Sequence, residues 1–391
     1  MVAANKKTII GLTGNIATGK SVVRKIFEHL GAYTIDADSL THRVMAKDGP
    51  AYQPIIDLFG KFVLTENGEV DRAKLGKLVF SDQSALESLE EIIHPLVRQA
   101  ADYLIKHATQ SVIVIEAIKL QTSPLVSYCD TVWITMSTEE NQLKRLTEKR
   151  KMSVEDARQR IAAQSPQAEK AALSDLKIKN DGTIEDVWKQ VQAGWELWFP
   201  DNPIPAYGQP ATAKVSTAPA AASPALATAE MRAERARPNM AQAIADLINK
   251  LSPGSEQLSR IDIMTTFGEK AYMLLLAEEQ LVGVVGWQIE NLIAQIDEFW
   301  LEVGVNIPNS ITLLVEAIEV AARQLQAEAA LAFVPKSLAS ESNTWNDLGF
   351  KPRSVEHLTV NAWREAAEQN LTDNADLLFK QLRIDRVLRP L

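Results

Sequence analysis

The chain has 391 residues, 46% hydrophobic and 23% charged, which supplies apolar material for two cores rather than one. Its longest apolar runs stop far short of the ~20 residues of a membrane span, as where Val112-Ile113-Val114-Ile115 ends at Glu116, so no membrane partner is expected. The net charge of −9 is uneven: residues 1–200 carry 25 Lys and Arg against 26 Asp and Glu, the remainder 16 against 24. An acidic second half argues against a nucleic-acid backbone as partner. A single cysteine, Cys129, allows no internal disulfide and no thiolate cluster for zinc, which points to a reducing cytoplasm. Nothing before residue 8 reads as an apolar export leader.

The first predicted strand, 8–13, is short and β-branched, and it runs into Gly14-Asn15-Ile16-Ala17-Thr18-Gly19-Lys20-Ser21, a complete G-x-x-x-x-G-K-[ST] loop. Residues 22–30 follow with Val22, Val23, Ile26, Phe27 and Leu30 on one helical face. Strand, loop and helix are the context in which this motif binds a polyphosphate. Its backbone N–H groups and the helix dipole face the phosphates, Lys20 neutralises them and Ser21 offers an oxygen to Mg²⁺. ATP and Mg²⁺ are therefore the expected cofactors, with residues 14–21 as the nucleotide-binding segment.

Further predicted strands at 32–35, 112–116, 131–135 and 176–179 alternate with helices at 86–106, 138–149, 154–163 and 184–198. This is the pattern of an α/β domain with a mainly parallel sheet over residues 1–200. Asp36 and Asp38 end the second strand two residues apart, so an extended backbone projects both at the sheet edge where such domains bind ligands. A carboxylate there can accept the proton of an attacking hydroxyl; the competing reading is a solvated turn or helix cap. Residues 142–151 form a dense cationic stretch suited to a lid over a migrating phosphoryl group, or else a solvated helical face. Trp188, Trp195 and Trp198 read as packing residues.

Residues 201–238, with 6 Pro and 12 Ala, read as an extended linker, after which the two domains need not touch. The second half opens with a helix at 241–251. Three antiparallel strands at 271–277, 281–290 and 293–302, a long helix at 311–326, a strand at 329–334, a short helix at 342–348 and a strand at 355–360 complete an α+β unit.

The first half resembles the dephospho-CoA kinases, which phosphorylate the ribose 3′-hydroxyl of dephospho-CoA with ATP. The likeness rests on Gly11 to Ser21, Ile35-Asp36-Ala37-Asp38 with His42, Gly60-Lys61, Gly68-Glu69-Val70-Asp71-Arg72, Leu75 with Val79-Phe80, and His94-Pro95. It continues through Gln142-Leu143-Lys144-Arg145, Arg160 to Gln164 and Asn180-Asp181-Gly182, in the family's order over residues 8–197. The resemblance implies a P-loop core, a substrate-covering helical part around 40–105 and a lid around 139–165. It implies Asp38 as general base with Lys20 and Arg145 as catalytic cations, and Lys149 or Arg150 reaching ATP. His42, His94 and Gln164 would meet dephospho-CoA, and Ser21 with Glu116 would serve the metal. Where the family has Asp-x-Pro-Leu-Leu, this chain reads Glu116-Ala117-Ile118-Lys119-Leu120.

In the second domain, 239–391, the stretch from about 238 to 365, with its helix, antiparallel meander, long helix and late Trp345-Asn346-Asp347-Leu348-Gly349-Phe350, resembles more weakly the GNAT acetyltransferase fold, but Gly304 to Ser310 lacks the cation and paired glycines that fold uses to grip a pyrophosphate. A binding, regulatory or dimerising module is expected in preference to an active N-acetyltransferase, with CoA or acetyl-CoA as its candidate ligand and a homo-oligomer admissible. Two alternatives stand for the whole chain: another small-molecule P-loop kinase, or a noncatalytic nucleotide switch, although no Asn-Lys-x-Asp guanine motif is present.

Overall fold

The computed structural model describes residues 7–200, 230–384 and 387. The first half runs β1 (Thr8–Gly14), α1 (Lys20–His29), β2 (Tyr33–Asp36), α2 (Ala37–Met45), α3 (Tyr52–Phe59), α4 (Arg72–Ser81), α5 (Gln83–His107), β3 (Val112–Glu116) and β4 (Thr131–Met136). It continues with α6 (Glu139–Glu148), α7 (Val154–Ala162), α8 (Gln167–Ala172), β5 (Leu176–Lys179) and α9 (Ile184–Trp198). The five strands make one parallel sheet in the order β2-β3-β1-β4-β5, as the alternation in the sequence requires.

Every residue of β3 is buried because the sheet is covered on both faces. Val112 and Val114 point toward α1 and α9, packing with Ile26, Phe27 and Trp195, while Ile113 and Ile115 point toward α2 and α5, packing with Leu40, Val44, Ile93 and Val97. Trp188 and Trp195 are core residues, as expected; Trp198 remains 38% exposed.

The second half runs β6 (Met231–Arg235), α10 (Ala241–Leu251), α11 (Arg260–Phe267), β7 (Ala271–Ala277), β8 (Gln280–Glu290), β9 (Ile293–Leu301) and α12 (Ile307–Gln324). It ends with β10 (Ala329–Pro335), α13 (Lys336–Ala339), α14 (Ser342–Asp347), β11 (Lys351–Pro352), α15 (Asn361–Asn370) and β12 (Ala375–Gln381). A seven-stranded mixed sheet orders them β11-β12-β10-β9-β8-β7-β6, with β9 and β10 parallel. Helix α12 buries Ile311, Leu314, Val315 and Ile318 on one side of this sheet, and α10 and α11 cover the other.

Three expectations change. The predicted strand at 355–360 is a 3₁₀ turn at Val355–His357 leading into α15, and the true last strand, β12, pairs antiparallel with β10. Leu358 and Val360 are apolar because they pack on Trp363 and Ala367, not because they lie in a sheet. Residues 201–229 of the predicted linker lie outside the described residues, and Met231–Arg235 within its expected bounds is an edge strand paired with β7.

The third change concerns independence: the two halves share one core. Val22, Phe27 and Trp188 of the first pack in the same apolar cluster as Ile244, Ile263, Met264 and Phe267 of the second. Burial of each large side chain in such a cluster contributes about 1.5–3 kcal/mol. Polar contacts fix the register of this packing. His29 Nε2 donates to the Phe267 carbonyl at 3.0 Å and Gln326 Nε2 to the Leu104 carbonyl at 2.9 Å. Arg43 pairs with Glu328 at 2.7 Å and donates to the Asn291 carbonyl at 3.0 Å, on the β8–β9 turn.

Candidate active site

The loop between β1 and α1 takes a conformation that its sequence anticipates. Gly19 has φ 95°, and a Cβ there would lie 1.9 Å from Asn180 Nδ2, so only glycine admits this turn and this neighbour. Thr18 Oγ1 donates to the Asn15 carbonyl, and Asn180 Nδ2 donates to the Thr18 carbonyl at 3.0 Å. No side chain caps α1 at Gly19, whereas α2, α6, α7 and α9 all carry side-chain caps. The first-turn N–H groups of α1 are thereby left for a ligand.

Lys20 folds back over the loop, its Nζ donating to the carbonyls of Gly14 at 3.1 Å and Asn15 at 3.2 Å. Burial pushes its ammonium pKa down, opposed by the nearby charges of Glu116 and Asp38 and reinforced by Arg150. Gly14, Asn15, Ile16, Ala17, Thr18 and Ser21 all stand on the same turn, and Ala17, Gly19, Lys20 and Ser21 line a cavity of about 390 Å³.

Cations from α6 and the bend beyond it line that cavity. Arg145 Nη1 donates to the Ala17 carbonyl at 3.0 Å and to Ser137 Oγ at 3.1 Å, and Nη2 to the Asn180 carbonyl at 2.5 Å. This planar fork ties the loop to the end of β5. Lys149 and Arg150 line the cavity beside it. From the second half, Gly268, Glu269, Gln288 and Glu290 form part of the same wall.

Asp36 and Asp38 do not project together. The strand ends at Asp36, whose carboxylate caps α2 by accepting from the Ser39 N–H at 2.9 Å. Asp38 sits in the first turn of α2 and its Oδ2 accepts from the Ile118 N–H at 3.2 Å. Burial raises the Asp38 pKa, with the charge of Asp36 adding to it and the Ile118 N–H and Lys20 opposing. A half-buried carboxyl of raised pKa near the loop lysine is a competent proton acceptor.

Glu116, expected to serve the metal, stands beside the first turns of α1 and is held by Arg24. It lies buried at the end of β3 and accepts from Arg24 Nε at 2.6 Å, and Arg24 also pairs with Glu28 at 3.2 Å. Burial pushes the Glu116 pKa up, with Arg24 opposing, and one of its two oxygens is held by that guanidinium. Gln164, expected to meet dephospho-CoA, bonds the phosphate loop through its Oε1, which accepts from the Ile16 N–H at 2.7 Å. His42 stands exposed one turn beyond Asp38 on α2, and His94 is half-buried on α5.

Sequence reasoning missed Lys170, on α8. Its Nζ donates to the Ile118 carbonyl at 3.0 Å, and burial and then Lys20 depress its pKa while Asp38 raises it. It thus belongs to the Lys20–Asp38 cluster. Among the described residues no group of three or more His, Cys, Asp or Glu side chains is placed to hold a metal ion. A lone Ser21 hydroxyl in the cavity suits Mg²⁺ brought in on phosphate oxygens, since that ion keeps its waters and needs few protein ligands.

A family model of dephospho-CoA kinase matches residues 8–186. The chain is 42% identical over 193 residues to a dephospho-CoA kinase of Carboxydothermus hydrogenoformans, covering 49% of this chain and 94% of that one. It is 38% identical over 195 residues to a dephospho-CoA kinase of Geobacter sulfurreducens, covering 49% and 99%. An acetyltransferase of the GNAT family from Streptococcus pneumoniae matches the chain with 11% identity and a TM-score of 0.30, covering 39% of this chain and 99% of that one.

Proposed function

We propose, from the premise that this chain belongs to the dephospho-CoA kinase family through its first half, how its own residues carry out phosphoryl transfer. The chain is an ATP-dependent kinase that phosphorylates a hydroxyl group of dephospho-CoA in coenzyme A biosynthesis. The acceptor is the ribose 3′-hydroxyl. It enters above the N-terminus of α2, beside His42 and His94, where Asp38 orients it and takes its proton. Lys20 and the α1 N-terminus spread the charge of the phosphates, and Arg150 adds a cation from the lid. Arg145 holds the loop against Asn180, so that the nucleotide meets a preformed surface. Mg²⁺, held through Ser21 and the phosphates, supplies further charge neutralisation when bound.

The observation that supports this reading most is geometric: Asp38 is held at the strand ends by the Ile118 N–H at 3.2 Å and Lys20 is folded over the loop onto the Gly14 carbonyl at 3.1 Å, near enough for each charge to shift the other's pKa. Such a couple at the strand ends of a parallel sheet serves in-line transfer rather than nucleotide sensing. The test is turnover of dephospho-CoA with Mg-ATP by the full chain, read as coenzyme A by mass. Asp38→Asn should lower kcat by roughly 10²–10⁴-fold, the range for losing a general base, with nucleotide affinity retained. Turnover within tenfold of the parent would remove Asp38 from the role.

For the second half we propose a bracing and regulatory module working in the cytoplasm alongside the kinase, not an acetyltransferase. The start of α12 supports this. Asn306 caps it through the Asn309 N–H at 3.0 Å and Pro308 contributes no donor, so few N–H groups remain for a pyrophosphate.

A further inference from the structure

The nucleotide cavity is walled on one side by Gly268, Glu269, Gln288 and Glu290, which belong to the second half of the chain. One of these reaches the lid: Glu269 Oε1 lies 3.1 Å from Lys149 Nζ. Lys149 is the last residue of α6 in helical geometry, and the chain turns sharply after it. Lys151 takes φ 53°, rare for a side-chain-bearing residue, and the Met152 N–H folds back to the Leu146 carbonyl at 3.1 Å before α7 begins. The ion pair therefore sits on the bend that sets the angle between the two lid helices.

Glu269 stands on a firm base. The Glu269 N–H donates to the Thr266 carbonyl at 2.9 Å, the preceding Phe267 carbonyl accepts from His29 of α1, and the following Lys270 pairs with Asp297 at 2.7 Å and Glu298 at 2.9 Å. A carboxylate anchored through Phe267 to the helix that follows the phosphate loop is thus aimed at the movable bend. Arg150, one residue on, lines the same cavity as Lys149 and Glu269, and its charge bears on Lys20.

Resting on the kinase reading above, we infer a division of labour in which Arg150 serves the phosphates and Lys149 serves as the point by which Glu269 of the second domain holds the lid in register over the nucleotide. Glu269 is a positioning residue for the reaction. It acts through Lys149 and not on the reacting atoms, and it makes the second domain a working part of the kinase site.

An alternative physics gives the opposite sign. Were Glu269 merely competing with ATP for Lys149, its removal would tighten nucleotide binding. As a positioning contact, its removal must weaken it. Both partners are more than half exposed, so the effect is that of a surface pair: roughly two- to fivefold in KM for ATP at low salt, fading as the Debye length shrinks to ~3 Å near 1 M salt.

The experiment uses the full chain as parent, Glu269→Gln, Lys149→Met, the double variant, Arg150→Met, and Glu279→Gln as a control at a distant surface pair with Arg232. The inference expects Glu269→Gln and Lys149→Met each to raise KM for ATP roughly two- to fivefold at low salt. The double variant should be no worse than either single, the difference should close at high salt, and Arg150→Met should be more damaging than all three. A lowered KM in Glu269→Gln, additive single effects, or a Glu269→Gln variant matching the parent at low salt overturns it. Failure of the parent itself to make coenzyme A would instead overturn the kinase reading, so the two failures are told apart.

Discussion

Glu328→Gln is the sharpest test of whether the two halves form one folding unit. The Arg43 and Glu328 side chains are 6% and 1% exposed and meet at 2.7 Å across the domain boundary. The substitution keeps the shape of the side chain and leaves the Asn291 carbonyl, 3.0 Å from Arg43 Nη1, in place. It removes the balancing charge and turns into a donor one of two oxygens that accept from Arg43 and from the Val387 N–H at 2.8 Å. Breaking a buried pair by losing one partner costs about 3–5 kcal/mol, because the remaining charge is stranded in a poorly polarisable site. With one acceptor retained, the low end of that range, about 3 kcal/mol, is the expected loss. At roughly 2 °C per kcal/mol for a chain larger than 150 residues, the midpoint falls by about 6 °C. Thermal unfolding of the full chain at pH 7, followed by circular dichroism and by calorimetry, measures it. Arg43→Met combined with Glu328→Leu should recover part of the loss, since a well-packed apolar pair needs no desolvation of charge. A drop under ~1 °C for Glu328→Gln would mean that the pair is solvated and that the shared core, not this contact, joins the halves.

Two further outcomes follow from the site and its surroundings. Arg145→Lys keeps the charge but loses the fork that joins Ala17, Ser137 and Asn180; loss of charged hydrogen bonds worth about 1.5–3 kcal/mol should raise KM for ATP at least ~10-fold in steady-state kinetics, and an unchanged KM would refute the role. Burial and then the charge of Arg235 push His29 down to about 3, against an unfolded value near 6.5. Its contribution is therefore complete above pH ~6.5 and is lost as pH falls toward 3, about 2 kcal/mol by pH 5. His29→Gln should flatten the difference between midpoints at pH 7 and pH 5, and an equal slope in both proteins would show that His29 titrates freely.

How much of this was legible in the residues depends on how local each cause is. The phosphate loop and the parallel sheet follow from spacing of neighbours along the chain, and they stand as read. Asp36 and Asp38 were misjudged as a pair because the strand stops at Asp36. A carboxylate three residues before a free Ser39 N–H is also a helix cap, and that local hydrogen bond decided the matter. The partners of Glu116 and Gln164, Arg24 and the Ile16 N–H, lie 92 and 148 residues away, a distance at which no spacing in the sequence announces them. Lys170, a lone lysine on a short helix, carries no pattern that marks it. The joining of the halves was invisible for a similar reason: Val22, His29 and Trp188 read as one face of ordinary helices, and nothing in their periodicity tells whether that face meets its own sheet or another domain.

The seam beside α1 and α9 bears on any attempt to dissect the molecule. At Gly268 the backbone passes so close that an added methyl would rest 3.3 Å from Val22 Cγ1 and 3.4 Å from Ile184 Cδ1. A fragment severed after α9 would bare Val22, Ile184 and Trp188 as one oily patch, the kind of surface that makes soluble chains stick to one another. Handling the catalytic half alone thus calls for hydrophilic replacements at those positions, and clumping of the unaltered fragment would report a missing neighbour, not a defective fold.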